Sequence, residues 1–264
     1  MSRRLSIRDV IAVVEKVPDL SGIVLVGGQA LNFWAEQLGI VTADTELLYG
    51  PALSDDIDFL GPAKLAIAFS DALGGTAQIA GMDNAHSPNT ALVTLDIDGE
   101  NHLIDFLGDM KGFSSSELKR VKDWAVPARM RGTPQPMYVM HPAHCLEAQL
   151  ENVYGTALDR RAELGGERYV GRVRLAIEAC RQIILKHLQS SDMRSALKVA
   201  EKVHELSLLP TAMRARRADD LRVESAIVEG PEMPKEFLEK RLPRLRAAHE
   251  RKLRKYEDRQ KGQR

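Results

Sequence analysis

The chain has 264 residues, of which 44% are hydrophobic, and its 37 basic side chains balance its 37 acidic ones. These values are typical of a soluble protein with one large or two modest domains. The balanced charge gives no reason to expect a nucleic-acid or membrane partner.

Two cysteines, Cys145 and Cys180, are present without a CxxC pair. This pattern argues against a disulfide framework and against a thiolate zinc site, and it favours a reducing compartment. Charged residues interrupt the apolar positions of the first seventeen residues, which is atypical of a signal peptide or a membrane span. We therefore expect a cytoplasmic protein without a membrane partner.

The first elements alternate between helical and extended patterns. Ser6 is a candidate N-cap for a helix over residues 6–17. The segment GIVLVGG followed by QALNFWAEQL predicts a strand, a tight glycine turn and a helix. Residues 39–54 have no clear period and contain Gly50-Pro51, so we predict a long loop there.

Short strands and helices are predicted up to about residue 140, and helices dominate after it. The predicted strands are DDIDFLG and residues 77–80, 91–97, 102–107, 126–130 and 137–140, with an Asp98-Gly99 hairpin turn. The predicted helices are 62–73, 115–124, 142–154, 167–188, 192–206, 212–228 and 235–260. The fold class is therefore α/β (α+β): a short mixed sheet flanked by helices in residues 1–140, and an α-helical domain in residues 141–264.

The last thirty residues, from Lys235 to Arg264, carry twelve Lys and Arg against five Asp and Glu, a surplus of seven. Their apolar stripe is thin. A solvated terminal helix explains the pattern, and so does a helix that contacts nucleic acid or a partner.

Three aspartates are candidates for chemistry. Side chains two apart on a strand point to the same side, so Asp56 and Asp58 should project together while Ile57 enters the core. Asp105 interrupts the apolar run HLIDFL, where a lone carboxylate is costly without a partner. If the two strands are neighbours, the carboxylates converge and could bind Mg²⁺ or Mn²⁺.

Gly27 and Gly28 lie where the predicted strand becomes a helix. Backbone N–H groups without side chains can approach a phosphate there, and the helix dipole favours an anion. Each feature also has a plain structural explanation. The Asp pair could cap a turn, Asp105 could pair with a cation, and the turn needs glycine anyway.

Taken together, VGGQAL, SDDIDF and LIDF resemble the signature of the polymerase-beta-like nucleotidyltransferase superfamily. The sequence of these motifs is most similar to that of the nucleotidyltransferase toxins of abortive-infection type IV toxin-antitoxin systems, and the similarity covers about residues 20–155. The resemblance implies an NTP substrate whose phosphates contact Gly27 and Gly28. It also implies metal binding by Asp56 and Asp58, with Asp105 completing the site and helping to activate the acceptor.

The sequence departs from this pattern in three places. The connection over residues 39–54 is unusually long and could cover the site or select the acceptor. Gln149 stands where related proteins often have a lysine, and Asp159-Arg160-Arg161 is an imperfect substitute for their Arg-Asp pair. Candidate cations for the triphosphate are Arg160, Arg161, Arg172, Arg174, Lys198 and Lys202.

The resemblance implies transfer of a nucleoside monophosphate to a hydroxyl of RNA, tRNA or protein, in a toxin-antitoxin or phage-defence setting that includes a cognate antitoxin. Two alternatives stay open: a weakly active or regulatory nucleotide-binding module, and an antibiotic-modifying nucleotidyltransferase. The pair His141 and His144 is a weak zinc motif, and we expect these residues to cap or pack. His86 and His102 receive no catalytic role.

Overall fold

In a computed structural model, the chain is described over residues 3–81, 88–129, 136–155 and 166–261, with the side chains of residues 260 and 261 left aside. Its internal contacts divide it into two compact units, Met1–Ala148 and Gln149–Arg264. None of the described helices is both long enough and apolar enough to cross a membrane.

The first unit is built on a mixed sheet. Its strands are β1 Leu5–Ser6, β2 Val24–Leu25, β3 Leu53–Ser54, β4 Ile57–Leu60, β5 Thr76–Ile79, β6 Asn89–Ile97, β7 Glu100–Leu107, β8 Val126–Ala128 and β9 Met137–Val139. Within the described residues, seven of them form one sheet in the order β5-β6-β7-β4-β2-β9-β8. The pairs β4–β7 and β2–β9 are parallel, and the other neighbours are antiparallel.

Successive side chains of the central strands point alternately into the core and to the opposite face of the sheet. Ile57 and Phe59 of β4 and Ile104 and Phe106 of β7 are fully buried. Phe69 packs against both phenylalanines, with ring centroids 5.2 to 5.3 Å apart. Because side chains alternate, the aspartates between these residues must face away from this core.

Helices of the first unit are α1 Ile7–Val14, α2 Gly27–Gln37, α3 Glu46–Tyr49, α4 Lys64–Leu73 and α5 Ser115–Trp124, and α6 Pro142–Tyr154 crosses into the second unit. Ser6 caps α1 as predicted, in a reciprocal capping box with Asp9. Asp98 and Gly99 both have positive φ, which confirms the hairpin turn.

The predicted loop over residues 39–54 is wrong in part. It contains the short helix α3, and its last residues form β3, which pairs antiparallel with β1 through Leu5↔Ser54 and Ser6↔Leu53. Neither element has a recognisable period, because one is a single turn and the other has two residues. Leu47, on α3, is 95% exposed. The apolar residues of α3 therefore do not form the buried face from which a helix is usually predicted.

The second unit is helical in the part of the chain described. Its helices are α7 Gly166–Gln189, α8 Met193–Ser207, α9 Pro210–Asp219, a 3₁₀ turn over Val223–Ala226, a π-helical turn over Phe237–Arg241, and α10 Leu242–Lys261. The predicted fold class is therefore confirmed as a mixed sheet flanked by helices, followed by a helical region.

One helix prediction in this unit is wrong in extent. The predicted helix over residues 212–228 ends at Asp219, because Asp220 adopts a left-handed conformation with φ of 50°. The predicted helix over residues 235–260 is present: residues 235 and 236 are helical, the π-helical turn Phe237–Arg241 follows, and α10 continues to Lys261. Pro243 directly follows the π-helical turn, so the proline falls where the regular hydrogen-bond pattern of the helix is already interrupted.

Candidate metal centre

Three carboxylates converge at one place on the sheet. Asp56, Asp58 and Asp105 each offer an oxygen, and these oxygens lie within 4.8 Å of one another. Within the described residues, this is the one group of three or more acidic, histidine or cysteine side chains with such a spacing. All three residues are only partly buried, so the group is accessible from solvent.

Strand pairing brings the three together. β4 and β7 run parallel with Asp58 directly beside Asp105, and Ile57 beside Ile104. Asp56 lies immediately before β4 and two residues from Asp58, so it returns to the same side. The sequence-based expectation that the two strands are neighbours is therefore correct, and the three side chains share one face.

Crowding changes the acidity of this group. The pKa of Asp58 is raised from 3.8 to about 8, first because burial disfavours the charged carboxylate and then because Asp56 and Asp105 are negative. The pKa of Asp105 is raised as well, by burial and by the charge of Asp56. Three carboxylates so arranged repel one another unless a cation or a proton neutralises them.

The donor atoms fit a hard divalent cation. All three are carboxylate oxygens on a rigid sheet, with neither imidazole nor thiolate in the group. Mg²⁺ and Mn²⁺ prefer such ligands and keep further positions for water or phosphate oxygens. The triad could therefore hold a divalent metal.

Two residues that the sequence analysis did not single out hold the aspartates in place. Asn89 donates from Nδ2 to Oδ1 of Asp105 at 2.7 Å. Ser54 donates from Oγ to Oδ1 of Asp56 at 3.2 Å. The serine stands two residues before Asp56 in the motif, so its proximity could have been noticed; Asn89 is sixteen residues from its partner.

Gly27 begins α2 directly against the triad. The Val26 N–H donates to the Asp58 carbonyl at 2.9 Å, and Gly27 follows with a positive φ of 62°. A Cβ on Gly27 would overlap the Asp58 carboxylate, only 2.9 Å from its Cγ and closer still to Oδ2. The structure thus requires glycine here for the approach of the carboxylate as well as for the backbone conformation.

Gly27→Ala is expected to displace Asp58 and to weaken metal binding by at least tenfold, because the new methyl group occupies the space of the carboxylate. Gly22→Ala is the matched control: Gly22 also has a positive φ, of 81°, but no atom lies within 4 Å of the position that a Cβ would take there. Both changes should cost about 1–2 kcal/mol in backbone strain. Calorimetric titration with Mn²⁺ separates them, and equal affinities of the two variants would contradict the expectation.

The other predicted site residues lie in different places. Gly28 is in the first turn of α2, whose N-cap Val26 makes no side-chain hydrogen bond. Gln149 is buried in α6. Of the candidate cations, Arg172 and Arg174 lie on α7 and Lys198 and Lys202 lie on α8, whereas Arg160, Arg161 and the Asp159-Arg160-Arg161 segment fall outside the described residues.

His141, immediately before α6, and His144, on α6, cap and pack as expected. His141 Nδ1 accepts a hydrogen bond from the Ala143 N–H at 3.1 Å, and His144 Nδ1 lies 3.1 Å from a Glu147 carboxylate oxygen. Both imidazoles meet the Trp124 ring edge to face. His102 is buried on the core side of β7, facing away from Asp105, and His86 lies outside the described residues.

The sequence matches no protein-family model, and no curated protein matches it. Among solved structures, the chain is similar to the crystal structure of an antigenic nucleotidyltransferase-like protein from Paracoccidioides brasiliensis. The two share 13% sequence identity with a TM-score of 0.41, over 75% of this chain and 95% of that chain. The ground for a function is therefore the site itself.

Proposed function

We propose that this protein is a metal-dependent nucleotidyltransferase that moves a nucleoside monophosphate from an NTP to a hydroxyl group. The observation that carries the proposal is the convergence of Asp56, Asp58 and Asp105 within 4.8 Å on one face of the sheet. Gly27, at the start of a helix, adjoins this group. Carboxylates beside a helix N-terminus suit metal-assisted phosphoryl chemistry.

In this proposal Asp56, Asp58 and Asp105 hold Mg²⁺ or Mn²⁺. The metal, when bound, neutralises charge on the phosphate oxygens. The raised pKa of Asp58 is the electrostatic sign of a group arranged for a cation. Residues 1–140 would then carry the chemistry and residues 141–264 would form a helical domain.

The protein's own groups position the substrates. Backbone N–H groups at Gly27 and Gly28 bind phosphate oxygens at the positive end of α2. Asp105, fixed through Oδ1 by Asn89, accepts the proton of the attacking hydroxyl. The hydroxyl oxygen bonds to the α-phosphorus while the bond to the pyrophosphate oxygen breaks, and pyrophosphate leaves.

The acceptor in this proposal is RNA, tRNA or a protein hydroxyl in the cytoplasm. The motif resemblance to toxin nucleotidyltransferases supports that acceptor class, a role in toxin-antitoxin or phage defence, and a cognate antitoxin. The surplus of seven positive charges after residue 234 is compatible with an RNA acceptor.

The test is a transfer assay. The protein is incubated with each α-labelled NTP and Mg²⁺, in separate reactions with total RNA, total protein or an aminoglycoside. We expect label in RNA or protein, and a loss of about 10²- to 10⁴-fold in Asp58→Ala. Asp71→Ala, which removes an exposed carboxylate from α4, is the control and should retain full transfer.

Each other outcome has a definite meaning. Label on the aminoglycoside alone would keep the enzyme and overturn the macromolecular acceptor. Transfer that is equal in Asp58→Ala and in the unaltered protein would overturn the role of the triad. No transfer in any reaction, by a protein that is folded and binds Mn²⁺, would overturn the enzymatic function in favour of a nucleotide-binding module.

A further inference from the structure

The second unit contains an open groove of about 460 Å³ between α10 and the junction of α8 with α9. Its floor is formed by carbon atoms of Leu208, Pro210, Met213 and Ala248. Leu208 follows α8 as its C-cap and Pro210 begins α9, so the floor is fixed by two helix termini. An apolar groove open to solvent is a site where a partner can bury apolar side chains.

One wall of this groove is cationic. Arg251, Lys252, Lys255 and Arg259 of α10 line it, and all four are exposed. At 100° per residue, these positions fall within about a third of the helix circumference. Among the residues that the structure describes, none of the four has an ion-pair partner, although other basic residues of the same unit, such as Arg216 and Arg241, do.

Of the three acidic residues of α10, two are segregated from this wall. Glu250 and Glu257 lie on the far side of the helix by the same angular count. Glu250 lines a separate cavity with Leu242 and Leu253. Asp258 lies beside the wall by that count but does not line the groove, whose lining has four basic side chains and no acidic one. The groove therefore keeps a surplus of positive charge next to its apolar floor.

We propose that this groove binds an acidic amphipathic helix of a partner protein. Apolar side chains at positions i, i+3, i+4 and i+7 of such a helix fit the floor, and its flanking carboxylates meet the cationic wall. The lining spans Ala248 to Arg259, roughly 16 Å of α10, which matches about three turns of a bound helix. This binding is independent of nucleotidyl transfer.

The lining favours a peptide over single-stranded RNA. RNA sites of that kind use several aromatic platforms on which successive bases stack. Tyr256 is the one aromatic residue among the groove-lining residues, and the floor is otherwise aliphatic or thioether. Aliphatic floors with charged rims are typical of helix-in-groove recognition.

A displayed library tests the proposal without assuming one sequence. Helical peptides of eighteen residues carry a fixed apolar stripe, and each flanking position is drawn equally from Asp, Glu, Lys and Arg. They are selected against the full-length protein. We expect the selected peptides to have acidic flanks, and replacement of their apolar stripe by Ser to abolish binding.

Two neighbouring charge reversals on α10 provide the matched comparison. Lys255→Glu places a negative charge on the groove wall, whereas Arg254→Glu places it on a side of α10 that does not line the groove. We expect Lys255→Glu to weaken the selected peptides at least tenfold and Arg254→Glu to change their affinity less than twofold. Circular dichroism checks that both variants keep their helices.

Several outcomes would overturn the proposal. These are an absence of selected peptides, selection of basic or neutral flanks, or equal sensitivity of the peptides to the two variants. A labelled 20-nucleotide single-stranded RNA is measured in parallel. If this RNA binds more tightly than the peptides and is lost in Lys255→Glu only, the groove is a nucleic-acid site instead.

Discussion

Asp58→Asn is expected to stabilise the metal-free protein at pH 8 while abolishing its response to Mg²⁺. The aspartate is partly buried beside two other carboxylates, and its pKa is raised to about 8, so ionising it costs free energy in the folded state. Asparagine removes that cost and keeps the shape of the side chain. A pKa shift of this size corresponds to a few kcal/mol in the free energy of unfolding. The melting temperature of Asp58→Asn should therefore be higher by roughly 5–10 °C.

The measurement is thermal unfolding in EDTA and in 10 mM Mg²⁺. The unaltered protein should melt higher with Mg²⁺, because a ligand bound only to the folded state stabilises it. Asp58→Asn should melt at one temperature in both buffers. Asp71→Asn, on the exposed side of α4, should behave as the unaltered protein does. A variant at position 58 that is less stable than the unaltered protein in EDTA would contradict the electrostatic account.

Asp58 should also make the metal-free protein less stable as the pH rises from about 4 to about 8. In this window the folded state keeps a proton on Asp58, whose pKa is raised from 3.8 to about 8, whereas the unfolded chain has released it. The folded state therefore binds more protons, and the free energy of unfolding falls with increasing pH. The raised pKa of Asp105 acts in the same direction.

Urea denaturation at pH 4.5, 6 and 8 measures this slope, which reaches at most about 1.4 kcal/mol per pH unit for one proton. Subtracting the profile of Asp58→Asn removes the contribution of all other titrating groups. Saturating Mg²⁺ should flatten the difference near pH 8, because the cation keeps Asp58 ionised. A difference profile that rises with pH in EDTA would show that Asp58 is stabilised as a carboxylate by the protein itself.

Much of the site follows from local rules in the sequence. The two-residue period of strands places Asp56 and Asp58 together, and the same period within HLIDFL turns Asp105 away from the core. A single polar residue within an apolar run is the feature that marks each of these positions as a candidate site residue. Helix starts at Ser6 and Ser114 are equally apparent, because a capping box leaves a fixed spacing of three residues.

Asn89 shows why the remainder could not be predicted. The Asp98-Gly99 turn sets a register in which Leu92 faces Asp105, so a regular β6 would turn Asn89 to the opposite side. A bulge between Asn89 and Ala91 reverses this and brings the amide to Asp105. A single extra residue in a strand leaves no periodic mark. The two-residue pairing of β1 with β3 is hidden for the same reason, because such contacts are set by tertiary structure.

The parallel register of β4 and β7 also determines where the chain can tolerate insertions and deletions. Asp58 lies beside Asp105 in the same ladder that places Ile57 beside Ile104 and Phe59 beside Phe106. A one-residue insertion in β7 would rotate every later side chain to the other face, and would bury Asp105 while exposing Phe106. Insertions and deletions in β7 should thus be excluded during evolution, while the connection between α2 and β3 can vary in length. A chain that misaligns these strands loses the core and the site together. Proteases that degrade unfolded chains would therefore also remove the inactive copies.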